Sequence, residues 1–346
     1  MSDFAWAPVL AQLAAGDDLT RETAAAAMTE IMEGRATPAQ IAAFVVALRI
    51  KGESTDEMTG LVAAMREASV KVDIGLDVVD VVGTGGDRAG TFNISTTAAF
   101  IAAGAGASVA KHGNRSASSQ CGSADVLEAL GVIIDLPAEA TATLVREEGF
   151  GFFFARSYHP AMRHAGPVRA ELGVPTVFNF LGPLTNPAGA RHYAVGVSDP
   201  AMAEKMIGVL ANLGAESAFV FYGEDGLDEL TTTGPSYIYR LRRDEITHAE
   251  FTPEDFGVAR SSLADLQGGD AATNVEIMRS ILGGEAGPKR DIAVINAAAA
   301  IVAFGTADGF AEGIEAASDS IDSGAAQQVL DNVARRSQDM ASADQR

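Results

Sequence analysis

The chain has 346 residues, a length that suggests two domains or one large α/β body with an appendage. Its 25 Lys and Arg against 46 Asp and Glu give a net charge of −21, which argues against broad nucleic-acid binding and against an anionic membrane surface, while leaving room for one small anion held by a few groups. A single cysteine, Cys121, excludes an internal disulfide and a multi-cysteine metal site, and 47% hydrophobic residues with 36 glycines read as globular α/β. The opening MSDFAWAPVLAQL has no basic n-region and no long apolar core, so it reads as mature cytoplasmic sequence.

Residues 1 to about 70 read as wholly helical. One helix is expected around Thr20 to Gly34. Thr37-Pro38-Ala39-Gln40 is a capping box with proline at the first helical position. Ile41, Phe44, Val45 and Leu48 follow as an apolar stripe. Ser54-Thr55-Asp56-Glu57 is a second capping box, with Met58, Leu61, Val62 and Met65 as its stripe. The pattern changes at Lys71. Val78 to Val82 is a β-branched run closed by Gly83, a buried strand. Helix signals then alternate with strand signals. Helices are expected at Thr96 to Ala105, Ser123 to Leu130, Ala138 to Glu148 and Pro200 to Leu213. Strands are expected at Ala107 to Lys111, Phe150 to Phe154, Tyr193 to Val197 and Ala218 to Tyr222. Such alternation implies an α/β fold, a mostly parallel sheet flanked by helices. His159 to Pro187 interrupts it with short helices and returns to the first bundle. Ser236 to Thr252 alternates like an edge hairpin. Ile292 to Phe304 is apolar but too short for a membrane span, so it reads as a buried helix. The end, from about Gln338, is expected to fray. The division is a small all-helical domain over 1–72, joined by about 160–188, and an α/β domain over 73–159 and 189–346.

Four stretches carry chemistry. Gly83-Thr84-Gly85-Gly86-Asp87 follows the valine-rich strand, where backbone N–H groups can approach an anion closely; it reads equally as a tight turn. It is neither a Walker A loop nor GxGxxG. Thr91-Phe92-Asn93-Ile94-Ser95-Thr96-Thr97 offers Asn93 or Ser95 as a helix cap, and more hydroxyls than capping requires. Lys111-His112-Gly113-Asn114-Arg115-Ser116-Ala117-Ser118-Ser119 supplies two fixed cations, a histidine, an amide and three hydroxyls at the end of the next strand. Across Asp80 to Ala170 there are seven basic against eight acidic residues, so this part of an acidic chain is almost neutral. Asp228-Glu229, after the strand ending at Tyr222, reads either as an oxygen pair for Mg²⁺ or as an acidic surface turn. Together these describe a Mg²⁺-polyphosphate substrate. Cys121 reads as a small loop residue.

The strings GTGGD, TFNIST, KHGNRSASS with GSADVLEALG, GPVRAELG with FNFLGPLTNP, and DGLDELT run in order through nearly the whole chain. In this it resembles the anthranilate phosphoribosyltransferases of tryptophan biosynthesis. KHGNR is the specific element; the glycine loop belongs to a wider superfamily that includes pyrimidine-nucleoside phosphorylases. The resemblance implies transfer of phosphoribose from 5-phosphoribosyl 1-diphosphate to the amino group of anthranilate, with Mg²⁺, in a homodimer joined through the small helical domain. It implies that Gly83, Gly85, Gly86, Asp87, Thr91, Asn93, Ile94, Ser95 and Thr96 line the sugar diphosphate, together with Lys111 through Ser119 and Ser123. It assigns Lys111, Asn114 and Arg169 to catalysis, and Gly83, His112, Asn114, His159 and Arg169 to the anthranilate side. Ser95, Asp228 and Glu229 would hold the metal. Gln120-Cys121 departs from the small or basic polar residues expected before GSAD, beyond the phosphate-holding part of the loop. Two other readings of the same fold are a pyrimidine-nucleoside phosphorylase, which would lack Mg²⁺ and KHGNR, and a non-catalytic nucleic-acid-binding relative, which the charge opposes. No nucleic-acid or membrane partner is expected.

Overall fold

The computed structural model describes residues 4–116 and 120–344. Four helices come first: α1 (Trp6–Ala14), α2 (Arg21–Met32), α3 (Pro38–Lys51) and α4 (Thr55–Glu67). Both capping boxes form as read, Thr37 with Gln40 and Ser54 with Glu57. Glu57 does more than cap: its carboxylate also accepts from Leu19 N at 2.9 Å and from Lys51 Nζ at 2.9 Å. α1 has no individual signal in the sequence, because Ala5 stands at its N-cap with no side-chain bond. Packing holds it instead, with the Trp6 ring edge-on to Phe44 at 5.6 Å.

α2 and α4 cross closely at Gly60, where an added Cβ would lie 2.1 Å from the backbone oxygen of Arg21. Gly60→Ala is therefore expected to cost about 1–3 kcal/mol, as overpacking does. Thermal unfolding at a fixed pH measures it; an unchanged midpoint would mean that the two helices separate freely.

The sheet contains β1 (Val79–Gly83), β2 (Val109–Gly113), β3 (Phe150–Phe154), β4 (His192–Gly196), β5 (Ser217–Gly223), β6 (Ser236–Arg242) and β7 (Glu245–Phe251). Its order is β3-β2-β1-β4-β5-β6-β7. The first five strands are parallel, and the expected hairpin β6–β7 closes one edge antiparallel. The connecting helices are α5 (Ile94–Gly104), α6 (Ser123–Ala129), α7 (Ala138–Glu148), α8 (Ala155–Tyr158), α9 (Gly166–Leu172), α10 (Phe178–Leu181) and α11 (Pro200–Asn212). Four more follow the hairpin: α12 (Ala271–Leu282), α13 (Pro288–Phe304), α14 (Phe310–Asp322) and α15 (Ala325–Asp344).

The five parallel strands are buried on both faces, which is why they read as continuous apolar runs, whereas β7 is exposed along most of its length. Val79, Val81, Val109 and Phe219 face a core shared with α5 and α12 to α15. Val78, Ala110, Tyr193 and Val220 face a second core shared with α1 to α4 and with α11. α13 is the buried apolar helix foreseen in the sequence, and among the described residues no helix is long and apolar enough to cross a membrane. The stretch after His159 packs back on the bundle, α9 on α3 and α10 on α4. The fraying expected from Gln338 does not occur over the described part. α15 continues to Asp344, held where Gln338 Nε2 donates to Gly131 O at 2.8 Å and Ser337 Oγ accepts from Ile133 N at 3.0 Å.

The order places the switch point between β1 and β4, where the chain leaves to build β2 and β3 and then returns. A crevice at the carboxyl ends of such strands is where open α/β sheets bind ligands. Gly83 and Gly196 end β1 and β4 there, in register with each other.

Candidate active site

The glycine loop leaves β1 at Gly83 and takes left-handed backbone at Gly85 (φ 67°) and Gly86 (φ 85°), with Arg88 also at φ 58°. A Cβ would meet nothing at Gly85 and only Ser198 Oγ, at an ordinary 4.0 Å, at Gly86, so conformation explains these glycines. Gly83 is explained by contact: a Cβ there would lie 2.4 Å from Asp228 Oδ2. That carboxylate oxygen accepts from Gly85 N at 2.6 Å. The loop thus folds around Asp228, which arrives from beyond β5.

α5 follows. Asn93 stands at its N-cap but makes no capping bond with its side chain, contrary to the expectation that Asn93 or Ser95 caps the helix. The helix end is met by Glu229, whose Oε1 accepts from Ser95 N at 3.2 Å. Ile94 and Thr96 are buried in the first turn, and Thr96 Oγ1 has no hydrogen-bond partner. Thr91 forms an antiparallel bridge with Gln267. Asp228 and Glu229 are both buried, so the reading of an acidic surface turn does not hold. Burial, then the nearby Asp87, pushes the Asp228 carboxyl up to about 7. Burial and then Asp228 push Glu229 well above the usual carboxylate range.

Lys111 lies beneath them, also buried. Its ammonium donates to Val81 O and, at 3.4 Å, to Ser95 Oγ. Burial draws it down to about 8, against the carboxylates of Asp80, Glu229 and Asp228, which hold it up. Lys111 is therefore a counter-charge inside the site's floor rather than an exposed cation. β1 and β2 share a single register pair, Val79 with Val109. Beyond it, side chains span the gap: Lys111 reaches Val81 O, and the Asp80 carboxylate accepts from His112 N at 3.0 Å. Asn186 Nδ2 donates to Ala110 O at 2.8 Å beside them.

The loop after β2 is described to Ser116 and again from Gln120; the expected contacts of Ala117, Ser118 and Ser119 lie outside the described residues. Gly113 has no room for a side chain, since a Cβ would lie 2.4 Å from Ser123 Oγ. Asn114 is exposed, and its carbonyl accepts from Ser123 Oγ at 3.1 Å. The guanidinium of Arg115, expected among the phosphate-holding groups, is engaged by Asp125 at 2.8 Å and by both carboxylate oxygens of Glu128. Asp125 also accepts from Ser116 N at 3.2 Å and Gly122 N at 2.9 Å, and so shapes the loop. Asp80 and Asn186 support the framework of this cleft, and the motif reading gave neither a role. No local signal marks them, because their partners are backbone groups brought close only by the fold.

His112 and His159 face each other with ring centroids 5.0 Å apart. Each has a buried Nε2 without a partner. Burial, then His159, holds His112 down to about 3, and burial holds His159 down to about 4. Both are neutral at pH 7. The unfolded chain takes up protons near pH 6.5 while the folded chain does not, so stability falls as pH drops from about 6.5. Urea unfolding between pH 7 and 5 should show this loss, and His159→Gln should make the slope shallower. An unchanged slope would remove His159 from the account. Arg169, on α9, is half-buried over the Phe178 ring at 5.2 Å, and burial lowers its pKa. It has no carboxylate partner among the described residues.

Among the described residues no group of three His, Cys, Asp or Glu could by itself hold a metal ion. Two adjacent buried carboxylates and a serine hydroxyl form an all-oxygen set that suits Mg²⁺, which keeps waters and shares its sphere with substrate phosphate. The raised carboxyl pKa values agree, because a cation would restore the charge that burial disfavours.

A family model described as the α/β domain of a glycosyl transferase family matches residues 75–327, and its helical-bundle counterpart matches 7–69. Sheet, bundle and site thus define a glycosyl transferase. The chain is 54% identical to the anthranilate phosphoribosyltransferase of Roseiflexus castenholzii, over 91% of this chain and 93% of that one. It is 53% identical to that of Moorella thermoacetica, over 92% and 94%. The solved anthranilate phosphoribosyltransferase of Thermus thermophilus superposes with a TM-score of 0.91 at 42% identity, over 95% of this chain and 99% of that one. The Saccharomyces cerevisiae enzyme, solved with PRPP and Mg, gives 0.89 at 26% identity, over 98% and 99%. The chain belongs to the anthranilate phosphoribosyltransferase family.

Proposed function

We propose that the cleft at the ends of β1 and β2 holds 5-phosphoribosyl 1-diphosphate beside anthranilate, and that Arg169 and Asn114 hold the anthranilate. The chain transfers the 5-phosphoribosyl group to the anthranilate amine and releases diphosphate. One observation carries this assignment of the site: the glycine loop and the start of α5 converge through Gly85 N and Ser95 N on Asp228 and Glu229, with Lys111 beneath.

The glycine loop and the N-terminal end of α5, with its positive dipole, face the sugar's anionic oxygens. Lys111 balances the buried negative charge of the floor. Asp228, Glu229 and Ser95 would hold Mg²⁺, which supplies charge neutralisation for the departing diphosphate when bound. An aromatic amine is a free nucleophile at neutral pH, so no strong base is required. The protein's contribution is alignment of two reactants, for which up to about 7–11 kcal/mol of barrier is available. The unpartnered Nε2 of neutral His112 is an acceptor suited to an amine N–H, with His159 beside it.

Mg²⁺-dependent loss of anthranilate fluorescence on adding the sugar diphosphate is the expected result; a folded sample that turns over neither substrate would overturn the assignment. We further propose a homodimer through the helical bundle, where Ile50 at the end of α3 is 82% exposed. Light scattering at twice the monomer mass would support it. The reading places the chain in the cytoplasm, since a multiply charged sugar diphosphate does not cross a bilayer unaided.

A further inference from the structure

Segment 266–274 lies outside every motif above, yet it splints the stretch between the glycine loop and α5. Gly268 N donates to Gly90 O at 2.9 Å, Phe92 N donates to Leu266 O at 3.2 Å, and Gln267 Nε2 donates to Ala89 O at 3.0 Å. Its last member, Asn274, is 1% exposed in the first turns of α12. Asn274 Oδ1 accepts from Gly269 N at 3.0 Å, which leaves its Nδ2 to donate. That amide donates to Gly269 O at 3.3 Å and to Asn93 Oδ1 at 3.0 Å. On its other side, Asn93 Nδ2 donates to Cys121 O at 3.2 Å.

The consequence is orientational. If the Asn93 amide turned over, its oxygen would face the Cys121 carbonyl and its NH₂ would face the Asn274 NH₂. Two hydrogen bonds would become two like-with-like contacts in a partly buried place. Gly269 settles which end of Asn274 faces Asn93, and Asn274 then settles which end of Asn93 faces which loop. The same chain of bonds ties the stretch before α5 to the loop before α6.

We infer that Asn274 is a positioning residue for the phosphoribosyl diphosphate site, holding the Asn93 amide in one orientation and coupling the two substrate loops. Asn274 does not itself touch substrate. The inference rests on the site assigned above and adds to it a residue from the C-terminal third of the chain.

The test compares Asn274→Asp, Asn274→Ala, Asn93→Ala and the pair Asn93→Ala with Asn274→Asp, in full-length enzyme with Mg²⁺. Asn274→Asp still accepts from Gly269 N but sets an acceptor against Asn93 Oδ1. It should raise the KM for 5-phosphoribosyl 1-diphosphate roughly ten-fold, the equivalent of one lost bond and one repulsive contact, and leave the anthranilate KM within about two-fold. Asn274→Ala should do less. In the Asn93→Ala background, Asn274→Asp should add almost nothing. Equal rises in both KM values, or an undiminished effect without Asn93, would overturn the inference. If the Asn274 variants do not fold, the unaltered protein still decides. The side-chain amide NMR signals of Asn93 and Asn274 should shift together when the sugar diphosphate binds, and independent behaviour would overturn the coupling. A wild-type chain without turnover would sink the functional assignment, whereas wild-type turnover with a silent Asn274 would sink only this inference.

Discussion

Asp228→Asn is expected to lower kcat/KM for the sugar diphosphate by about 10²- to 10³-fold, the cost of losing one well-placed electrostatic group. The Mg²⁺ concentration needed for half activity should rise as well. The change is nearly isosteric. The asparagine oxygen can still accept from Gly85 N, the bond that Asp228 makes at 2.6 Å. The amide nitrogen then occupies the position of the second carboxylate oxygen, where it offers a donor to a cation. Stability should move the other way. Asp228 is buried beside Glu229 and near Asp87, and its carboxyl is pushed up to about 7, so its ionised form is disfavoured in the fold. Replacing it with a neutral group relieves that, and the thermal midpoint without Mg²⁺ should stay equal or rise at pH 8. Loss of activity with a matching loss of stability would make Asp228 a fold residue. Retained activity would remove it from the metal site.

Much of the architecture is written locally. The β-branched run from Val78 and the alternation after it are enough for a parallel sheet, because strands buried on both faces must be apolar throughout. Thr37 with Gln40 and Ser54 with Glu57 announce their helices because a capping box is a four-residue device. α1 lacks such a device, and its packing partner Phe44 is far along the chain, so it leaves no separate signal. The site divides in the same way. The glycine loop and the Asp228-Glu229 pair are visible as residue types. Their meeting is not, because Gly85 and Asp228 are 143 positions apart and Asn93 and Asn274 are 181 apart. Lys111 shows the limit of reading by type. A lysine opening a polar stretch suggests a phosphate contact, yet it stands in the middle of β2 with its ammonium inside, where the strands part and Val81 O needs a donor.

Arg169→Ala is expected to raise the anthranilate KM about 30- to 100-fold while the KM for the sugar diphosphate moves less than about two-fold. The first figure corresponds to the loss of a charge-assisted, two-pronged pair with a carboxylate, about 2–3 kcal/mol. The structure explains why this arginine has that pair to give. Arg115 is taken up by Asp125 and Glu128, and Arg66 donates to Leu184 O and to the Tyr193 hydroxyl. Arg169 keeps its guanidinium over the Phe178 ring with no carboxylate among the described residues. Burial already lowers its pKa, so part of its hydration has been given up before any ligand arrives. A carboxylate that restores those contacts gains more than it would against a fully hydrated cation. Position adds selectivity: Arg169 rides on α9, which packs on the bundle through α3, while the phosphate-facing loops ride on the sheet. On that assignment Arg169 would grip anthranilate from the bundle side, so its truncation should leave the sheet-side grip on the sugar diphosphate intact. Arg169→Lys should recover only part of the loss, since a point charge cannot reproduce the fork. Initial rates with each substrate varied in turn decide the matter, and equal rises in both KM values would remove Arg169 from the carboxylate and return it to packing against Phe178.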